Sequence, residues 1–246
     1  KKAGREASDG LVDSWVSADG RSGILVEVNC ETDFVAKTED FTQLVEKVIR
    51  HVEENGGNSL PPNPRGESIQ EEVIAAVAKL GENIIASRGE RYILPEGQAG
   101  TICSYIHPGG SIGVMVEVRC GSADTVARAE FTETAKDLAM HIAASSPLYM
   151  ERDQVPKAVI ESERAILMAQ SKDTGKPEKI VEKIVDGRIN KYVKEVCMME
   201  QPFVKNSDQT IQDWLSSRSK ELDDSIEVFQ FSRFKRGESS GQGESK

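Results

Sequence analysis

The feature that most constrains the fold of this chain is an internal repeat. When residues 10–51 are placed over residues 100–141 without a gap, 11 of the 42 positions are identical. Any two strand-turn-strand segments can look alike through apolar alternation, but the positions shared here include glycines and polar residues. The repeat therefore predicts a fold built from two copies of one unit. The identical pairs are Gly10/Gly100, Ser14/Ser104, Gly20/Gly110, Gly23/Gly113, Val26/Val116, Glu27/Glu117, Val28/Val118, Cys30/Cys120, Phe41/Phe131, Thr42/Thr132 and His51/His141.

Each copy has the pattern of a β-hairpin followed by a helix. In the first copy, a turn rich in Gly and Asp separates the apolar runs Leu11–Val16 and Ile24–Val28. In the second run Glu27 alternates with valines, which predicts a strand with one buried face and one face in water. We therefore expect an α+β fold with two duplicated subdomains, each a small antiparallel sheet with packed helices. The helix of the first copy repeats apolar residues at helical spacing, at Phe41, Leu44, Val45 and Val48.

The segment between the two copies predicts a linker, a helix and a strand. Residues 55–65 show no periodicity and contain several Gly and Pro residues. Ser68 and Glu71 have the spacing of a capping box, which marks the start of a helix. The apolar stripe of this helix is expected to extend from Ile69 to Ile84, and Arg91–Leu94 is expected to form a short strand.

The C-terminal part predicts a different arrangement. Val155–Gln170 and Pro177–Met199 are expected to form an antiparallel helical hairpin, a coiled-coil arm, joined by a polar turn. A helix at Ile211–Arg218 and a strand at Ile226–Phe234 follow. The predicted segments are 1–54 for the sheet and helix of the first core subdomain, 55–94 for the elements that complete it, 95–154 for the second core subdomain, 155–199 for the arm, 200–237 for a C-terminal strand and helix module, and 238–246 for a disordered tail.

Composition argues against several classes of function. The net charge is −10, whereas a nucleic-acid-binding protein usually presents a basic face to the phosphates. No apolar stretch approaches the roughly 18 residues of a membrane helix. The four cysteines include no C-x-x-C pair and the three histidines are scattered. We therefore expect no zinc site, no cofactor, no direct contact with nucleic acid and no membrane insertion.

The two copies differ most in the loop after the second strand of each hairpin. The first copy reads Glu31–Ala36 (ETDFVA), and the second reads Gly121–Val126 (GSADTV). A turn with a purely structural role does not require a bulky aromatic residue beside an aspartate, so Asp33 and Phe34 are candidates for a binding function. The alternative is that Phe34 packs beneath the following helix, as most large aromatic residues do.

Three stretches of the chain resemble the elongation factor Ts family. They are Val26–Phe41 (VEVNCETDFVAKTEDF), Met140–Met150 (MHIAASSPLYM) and Gly175–Lys205, which covers the helical arm and the residues beyond it. The resemblance covers about residues 1–237 in the family's order. Family members begin with a small domain of the ubiquitin-associated type, and Lys1–Val12 resembles the segment that follows it. We therefore expect that domain to be absent from this sequence.

The resemblance implies a guanine nucleotide exchange factor that acts on elongation factor Tu, a GTPase, during protein biosynthesis. It implies that Asp33 and Phe34 enter the partner near its Mg²⁺ and nucleotide site, with Phe34 as a wedge between helices. It implies no covalent chemistry and a location in a bacterial cytoplasm or an organelle. The partner-binding residues expected on this basis are Thr32, Asp33, Phe34, Val35, His141, Phe203 and Val204. For His141 the alternative of packing at a helix end stays open, because His51 holds the same place in the first copy.

Two other functions are open to test. A thiol enzyme could use Cys30 or Cys120 as its nucleophile, but it would need a neighbouring base or a lowered thiol pKa. Their equivalent places in the repeat favour a role in the core instead. A ribosome- or RNA-associated scaffold would bind with a steep dependence on salt.

Overall fold

The computed structural model of the protein describes residues 4–60, 67–171 and 177–238. These residues form an α+β fold, as the sequence predicts. The helices are α1 (Asp33–Ala36), α2 (Glu39–Asn55), α3 (Glu67–Leu80), α4 (Ala123–Val126), α5 (Ala129–Ser145), α6 (Lys157–Ser171), α7 (Glu178–Val196) and α8 (Ile211–Leu222). The strands are β1 (Asp9–Val16), β2 (Ser22–Cys30), β3 (Ile85–Ile93), β4 (Gly100–Ile106), β5 (Ile112–Cys120), β6 (Pro202–Phe203), β7 (Asn206–Thr210) and β8 (Ile226–Lys235).

The chain divides into two compact units. Unit 1 contains residues 1–143 and 219–246, and unit 2 contains residues 144–218. Unit 1 has two antiparallel sheets of three strands each, in the orders β1-β2-β3 and β4-β5-β8. Each hairpin is followed by a helix of four residues and a helix of 17 residues, so the repeat predicted from the sequence is present as two copies of one unit. The segmentation at residues 54, 94, 154, 199 and 237 stays a prediction.

The central strand β2 is buried on both faces. One face packs against α2 and α3 through a cluster that includes Val26, Val28 and Phe41. The other face meets the second sheet through a cluster of residues from both copies: Val12, Leu25, Tyr92, Leu94, Ile102, Met115 and Phe234. The prediction of a wet face at Glu27 is therefore wrong, because Glu27 is 0% exposed. A second sheet covers the face that alternation alone assigned to water.

The two copies meet through reciprocal contacts. The Val12 N–H donates to Gly110 O at 2.9 Å, and the Ile102 N–H donates to Gly20 O at 2.7 Å. Val12 and Ile102 hold the same place in the repeat, as do Gly20 and Gly110. The contact is thus self-complementary, like the interface of a twofold-symmetric dimer, but it lies within one chain.

The third strand of the second sheet comes from the end of the chain. Strand β8 pairs with β5 as β3 pairs with β2, and both pairings have a register shift at the equivalent glutamates Glu27 and Glu117. The sequence pattern predicts β8 as part of a separate C-terminal module, whereas in the structure it completes the second sheet. The residues before the two strands also match, since Leu80–Ile84 reads LGENI and Leu222–Ile226 reads LDDSI. Unit 2 therefore interrupts the second copy before its last strand.

Two boundaries differ from those expected. Helix α3 ends at Leu80 and not at Ile84, because Gly81 adopts φ +83° and its N–H donates to Val77 O at 3.1 Å. Strand β3 begins at Ile85, six residues before the expected start, because its pairing with β2 continues past a bulge. The side chain of Ser68 in the expected capping box, residues 61–65 of the linker and residues 239–246 of the expected tail lie outside what the structure describes.

Unit 2 contains the predicted helical hairpin. Helices α6 and α7 pack through Leu167, Val181, Val185, Ile189 and Val193. Helix α7 continues through Gly187, and the Arg164 guanidinium donates to the Asp186 carboxylate at 2.6 Å. The expected turn between the helices falls on residues 172–176, outside the described residues. No described helix combines the length and apolar character that a membrane span needs.

Candidate functional site

The loop after β2 is organised by a capped helical turn. Thr32 precedes α1 with extended backbone angles, and its Oγ1 accepts a hydrogen bond from the Val35 N–H at 3.4 Å. Thr is a preferred residue at such a position because its side chain satisfies an N–H group at the start of the helix. The Cys30 thiol donates to Thr32 O at 3.1 Å, which ties the turn to the end of the strand.

A carboxylate from a distant part of the chain holds the same turn. Glu82 Oε2 accepts hydrogen bonds from the N–H groups of Glu31 at 3.1 Å and Thr32 at 3.0 Å, and Glu82 Oε1 accepts from the Thr32 hydroxyl at 2.6 Å. In return, Glu31 Oε1 accepts from the Asn83 N–H at 2.7 Å. Hydrogen bonds to ionised acceptors are roughly twice as strong as neutral ones. The turn is therefore fixed on the scaffold from two sides.

The Phe34 ring points into solvent. It is 79% exposed, whereas Ala36 on the same turn is 3% exposed and Val35 packs against the first hydrophobic core. The alternative that Phe34 packs beneath the following helix is therefore wrong. An exposed ring on a firmly held turn is unusual, because large aromatic residues are mostly buried. This ring is available to a partner without any rearrangement of its own subdomain.

Asp33 lies beside Phe34 and carries a local ion pair. Lys37 Nζ donates to Asp33 Oδ2 at 2.6 Å, and both side chains are well exposed. This hydrogen bond lowers the pKa of the Asp33 carboxyl, and the positive charges of Lys37 and Arg236 lower it further. Asp33 is thus an anion at neutral pH, held by a surface pair of the kind that exchanges readily for another partner.

The second copy has the same support without the aromatic residue. Asp224 Oδ1 accepts from the Gly121 N–H at 2.9 Å, and Asp224 Oδ2 accepts from the Ser122 N–H at 3.1 Å and the Thr125 hydroxyl at 2.6 Å. The hydrogen bond from the Thr125 hydroxyl has the largest effect in lowering the pKa of Asp224, and those from Gly121 and Ser122 lower it further. The exposed residue in the place of Phe34 is Asp124. The two copies therefore share the frame of the loop and differ in what it presents.

Sequence reasoning missed Glu82 and Asp224. Each lies beyond the 42 aligned positions, and the spacing between them is not the 90 residues of the repeat because unit 2 intervenes. The signal that could have found them is the match between LGENI and LDDSI, in which the acidic residue comes two positions after the leucine.

The other predicted contact residues are mostly buried. His141 is 0% exposed, so direct contact with a partner would require the residues around it to move. Phe203 is 4% exposed and stacks on Trp214 with a centroid distance of 4.3 Å. Val204 is 45% exposed, in the turn between β6 and β7. His141 belongs to unit 1 and the other two to unit 2. Their contact with a partner stays a prediction.

The cysteines lack the features of a nucleophile. Burial raises the pKa of the Cys30 thiol from 9.0 to about 12 and also raises the pKa of Cys120. Nucleophilic cysteines have lowered pKa values, because the thiolate is the reactive form. Within residues 4–60, 67–171 and 177–238, no three His, Cys, Asp or Glu side chains are grouped to hold a metal ion. The raised pKa values of Cys30 and Cys120 fit the core role that their equivalent places in the repeat favour.

Comparison with known proteins gives one consistent result. The model of the family described as elongation factor TS matches residues 31–238. The chain is 45% identical to elongation factor Ts of Clostridium acetobutylicum over 244 residues, which is 97% of this chain and 78% of that protein. It is 40% identical to elongation factor Ts of Trichlorobacter lovleyi over 245 residues and 42% identical to that of Clostridium botulinum over 243 residues, with the same coverage of both chains.

Proposed function

Because the chain belongs to the elongation factor Ts family, whose members are translation elongation factors, we propose that it promotes GDP release from elongation factor Tu. The observation that carries this proposal is the Phe34 ring, exposed on a turn that Thr32 and Glu82 hold in place. A protruding ring on a rigid support can enter a partner without a large ordering cost, because little side-chain or loop freedom is lost on binding.

The proposed mechanism is displacement without covalent chemistry. The GTPase partner holds GDP and Mg²⁺ in a site whose backbone N–H groups surround the phosphates. Phe34 enters between partner helices near that site, and Asp33 leaves its ion pair with Lys37 to form a hydrogen bond with the partner. The displaced helices carry metal ligands and phosphate-binding groups away from the nucleotide. By linkage, the nucleotide and the exchange factor weaken each other's binding by the same factor.

A second contact belongs to the same proposal. Val204 is exposed at the turn of the β6–β7 hairpin, where it can meet another domain of the partner. Phe203 supports this turn by stacking on Trp214. His141 belongs to unit 1, and its burial favours a role in supporting the part of unit 1 around it over a direct contact with the partner. The bacterial sources of the relatives favour a bacterial cytoplasm as the place of action.

The test is stopped-flow release of a fluorescent GDP analogue from purified elongation factor Tu. We expect the chain to accelerate release strongly and Phe34→Ala to lower the maximal rate at least about tenfold, because the ring acts in the displaced state. Since the ring is mostly exposed, the variant should keep its stability within about 0.5 kcal/mol, as exposed substitutions do.

Phe229→Ala is the matched control. It removes another aromatic ring, 46% exposed, on β8, and it should leave the release rate within about twofold of wild type. A stable Phe34→Ala protein with full activity would remove Phe34 from the mechanism. A wild-type chain without any effect on release would overturn the proposed function.

A further inference from the structure

We propose that Glu82 is a positioning residue for Phe34, one that presents the ring to the partner without touching the partner itself. This inference rests on the proposed exchange function. Glu82 lies 48 positions after Phe34, at the start of the connection from α3 to β3. Nothing in its local sequence predicts a role in partner binding.

The Glu82 side chain fixes the conformation of the turn through three hydrogen bonds. Its carboxylate accepts the N–H groups of Glu31 and Thr32 and the Thr32 hydroxyl, at 3.1, 3.0 and 2.6 Å. These groups lie directly before α1, at the point where the chain changes direction from β2. Thr32 in turn caps the Val35 N–H. The path from Glu82 to Phe34 therefore passes through one residue, Thr32.

The carboxylate is itself held in place. Gly81 ends α3 with φ +83°, which turns the chain so that Glu82 faces the loop after β2. The Asn83 N–H donates to Glu31 Oε1 at 2.7 Å, so the two loops exchange hydrogen bonds in both directions. Asn83 Nδ2 also donates to Arg5 O at 2.7 Å. Removal of the Glu82 side chain breaks its hydrogen bonds with Glu31 and Thr32, whereas the connection between α3 and β3 keeps the hydrogen bonds of Asn83.

The consequence for binding follows from the exposure of Phe34. Because the ring is 79% exposed, its own packing contributes little to its orientation, which depends on the turn. Without Glu82, the turn samples other conformations and only a fraction presents the ring correctly. The apparent dissociation constant then rises by the inverse of that fraction, whereas the complex once formed is unchanged.

The internal repeat supplies a matched control. Asp224 makes the equivalent bonds to Gly121, Ser122 and Thr125 in the second copy, whose loop presents Asp124 in place of the ring. A purely structural role for such carboxylates predicts similar effects at both sites. A positioning role predicts an effect on exchange at Glu82 alone.

The experiment measures GDP release from elongation factor Tu over a range of concentrations of Glu82→Ala, Glu82→Gln and Asp224→Ala chains. We expect Glu82→Ala to raise the half-saturating concentration about tenfold with the maximal rate within about twofold of wild type. Glu82→Gln, which keeps an acceptor for the two N–H groups, should lie between Glu82→Ala and wild type. Asp224→Ala should stay within about twofold of wild type on both measures.

A double-mutant cycle separates positioning from stability. In the Phe34→Ala background, Glu82→Ala should change the half-saturating concentration less than about threefold, because the ring that it positions is gone. Melting curves of all variants are recorded in parallel. An unchanged half-saturating concentration in Glu82→Ala, equal effects at Glu82 and Asp224, or the same effect with and without Phe34 would overturn the inference. A wild-type chain without exchange activity would instead overturn the proposed function on which it rests.

Discussion

The hydroxyl groups of Ser14 and Ser104 hydrogen bond to each other at 3.0 Å, although the two residues lie 90 positions apart. They hold the same place in the two copies, so this contact marks the approximate twofold axis that relates the copies within unit 1. Near such an axis a residue contacts its own equivalent in the other copy, and away from the axis each contact occurs twice. The packing of the core between the two sheets is therefore set by pairs of equivalent positions.

Gly113 tests how tightly this core is packed. A Cβ atom there would lie 2.9 Å from Ile106 Cδ1 and 2.9 Å from Leu25 Cδ1, and it would also meet Val12 Cγ1. We expect Gly113→Ala to destabilise the protein by about 1–3 kcal/mol through overpacking. Urea unfolding followed by circular dichroism measures the change.

Gly187 provides the control for this substitution. It lies in α7, and apart from its chain neighbours and its own helix backbone no described atom lies within 4 Å of an added Cβ. The same Gly→Ala change should there stabilise the protein by about 0.5–1 kcal/mol, because alanine favours the helix. Equal effects of the two substitutions would contradict the packing of the inter-sheet core.

The buried carboxylate of Glu27 should make the stability of the protein depend strongly on Arg88. Arg88 Nε donates to Glu27 Oε2 at 2.7 Å, and the Glu27 side chain is 0% exposed. Arg88→Met should cost about 3 kcal/mol, because it leaves a buried carboxylate without its charged partner. The Asn29 side chain and the Gly237 N–H still donate to Glu27, which limits the loss.

Lys37→Met is the matched substitution at an exposed pair. The Lys37 and Asp33 side chains are 73% and 47% exposed, so the loss should stay below about 1 kcal/mol. Chemical denaturation at neutral pH compares the two variants. A larger loss at Lys37 than at Arg88 would mean that the burial of Glu27 is not as described.

The thiol of Cys30 predicts a loss of stability at alkaline pH. Its pKa is raised from 9.0 to about 12 in the folded protein by burial. The unfolded chain therefore releases this proton before the folded chain does, and the stabilising contribution is complete below pH 9 and lost as the pH rises towards 12. Urea midpoints measured across this range should fall less steeply in Cys30→Ala. Rapid alkylation of Cys30 by iodoacetamide in the native protein at pH 8 would contradict its burial.

Much of the fold follows from local pattern. The hairpins, the helices α2 and α5 and the helical hairpin of unit 2 appear as expected, because alternation and helical spacing are properties of neighbouring residues. The loop at Asp33 and Phe34 could be singled out for a related reason, since one copy of the repeat provides a reference for the other.

The structure departs from the predictions made from sequence at places where distant segments of the chain pack together. Alternation predicts a solvent-exposed Glu27, because it describes one sheet and cannot show a second sheet packed on it. Strand β8 is not expected beside the second copy because the 75 residues of unit 2, from 144 to 218, come before it in the chain. No local pattern indicates Glu82, because its role depends on hydrogen bonds to residues about 50 positions away.

Residue identity and periodicity along the chain are sufficient to establish the duplicated unit, the elements within each copy and the family to which the chain belongs. The exposure of the Phe34 ring, the hydrogen bonds by which Glu82 holds its turn and the place of β8 in the second sheet follow only from the three-dimensional packing. Burial and hydrogen bonding depend on which segments pack together in space, and the same apolar ring is a core residue or a binding residue according to what covers it.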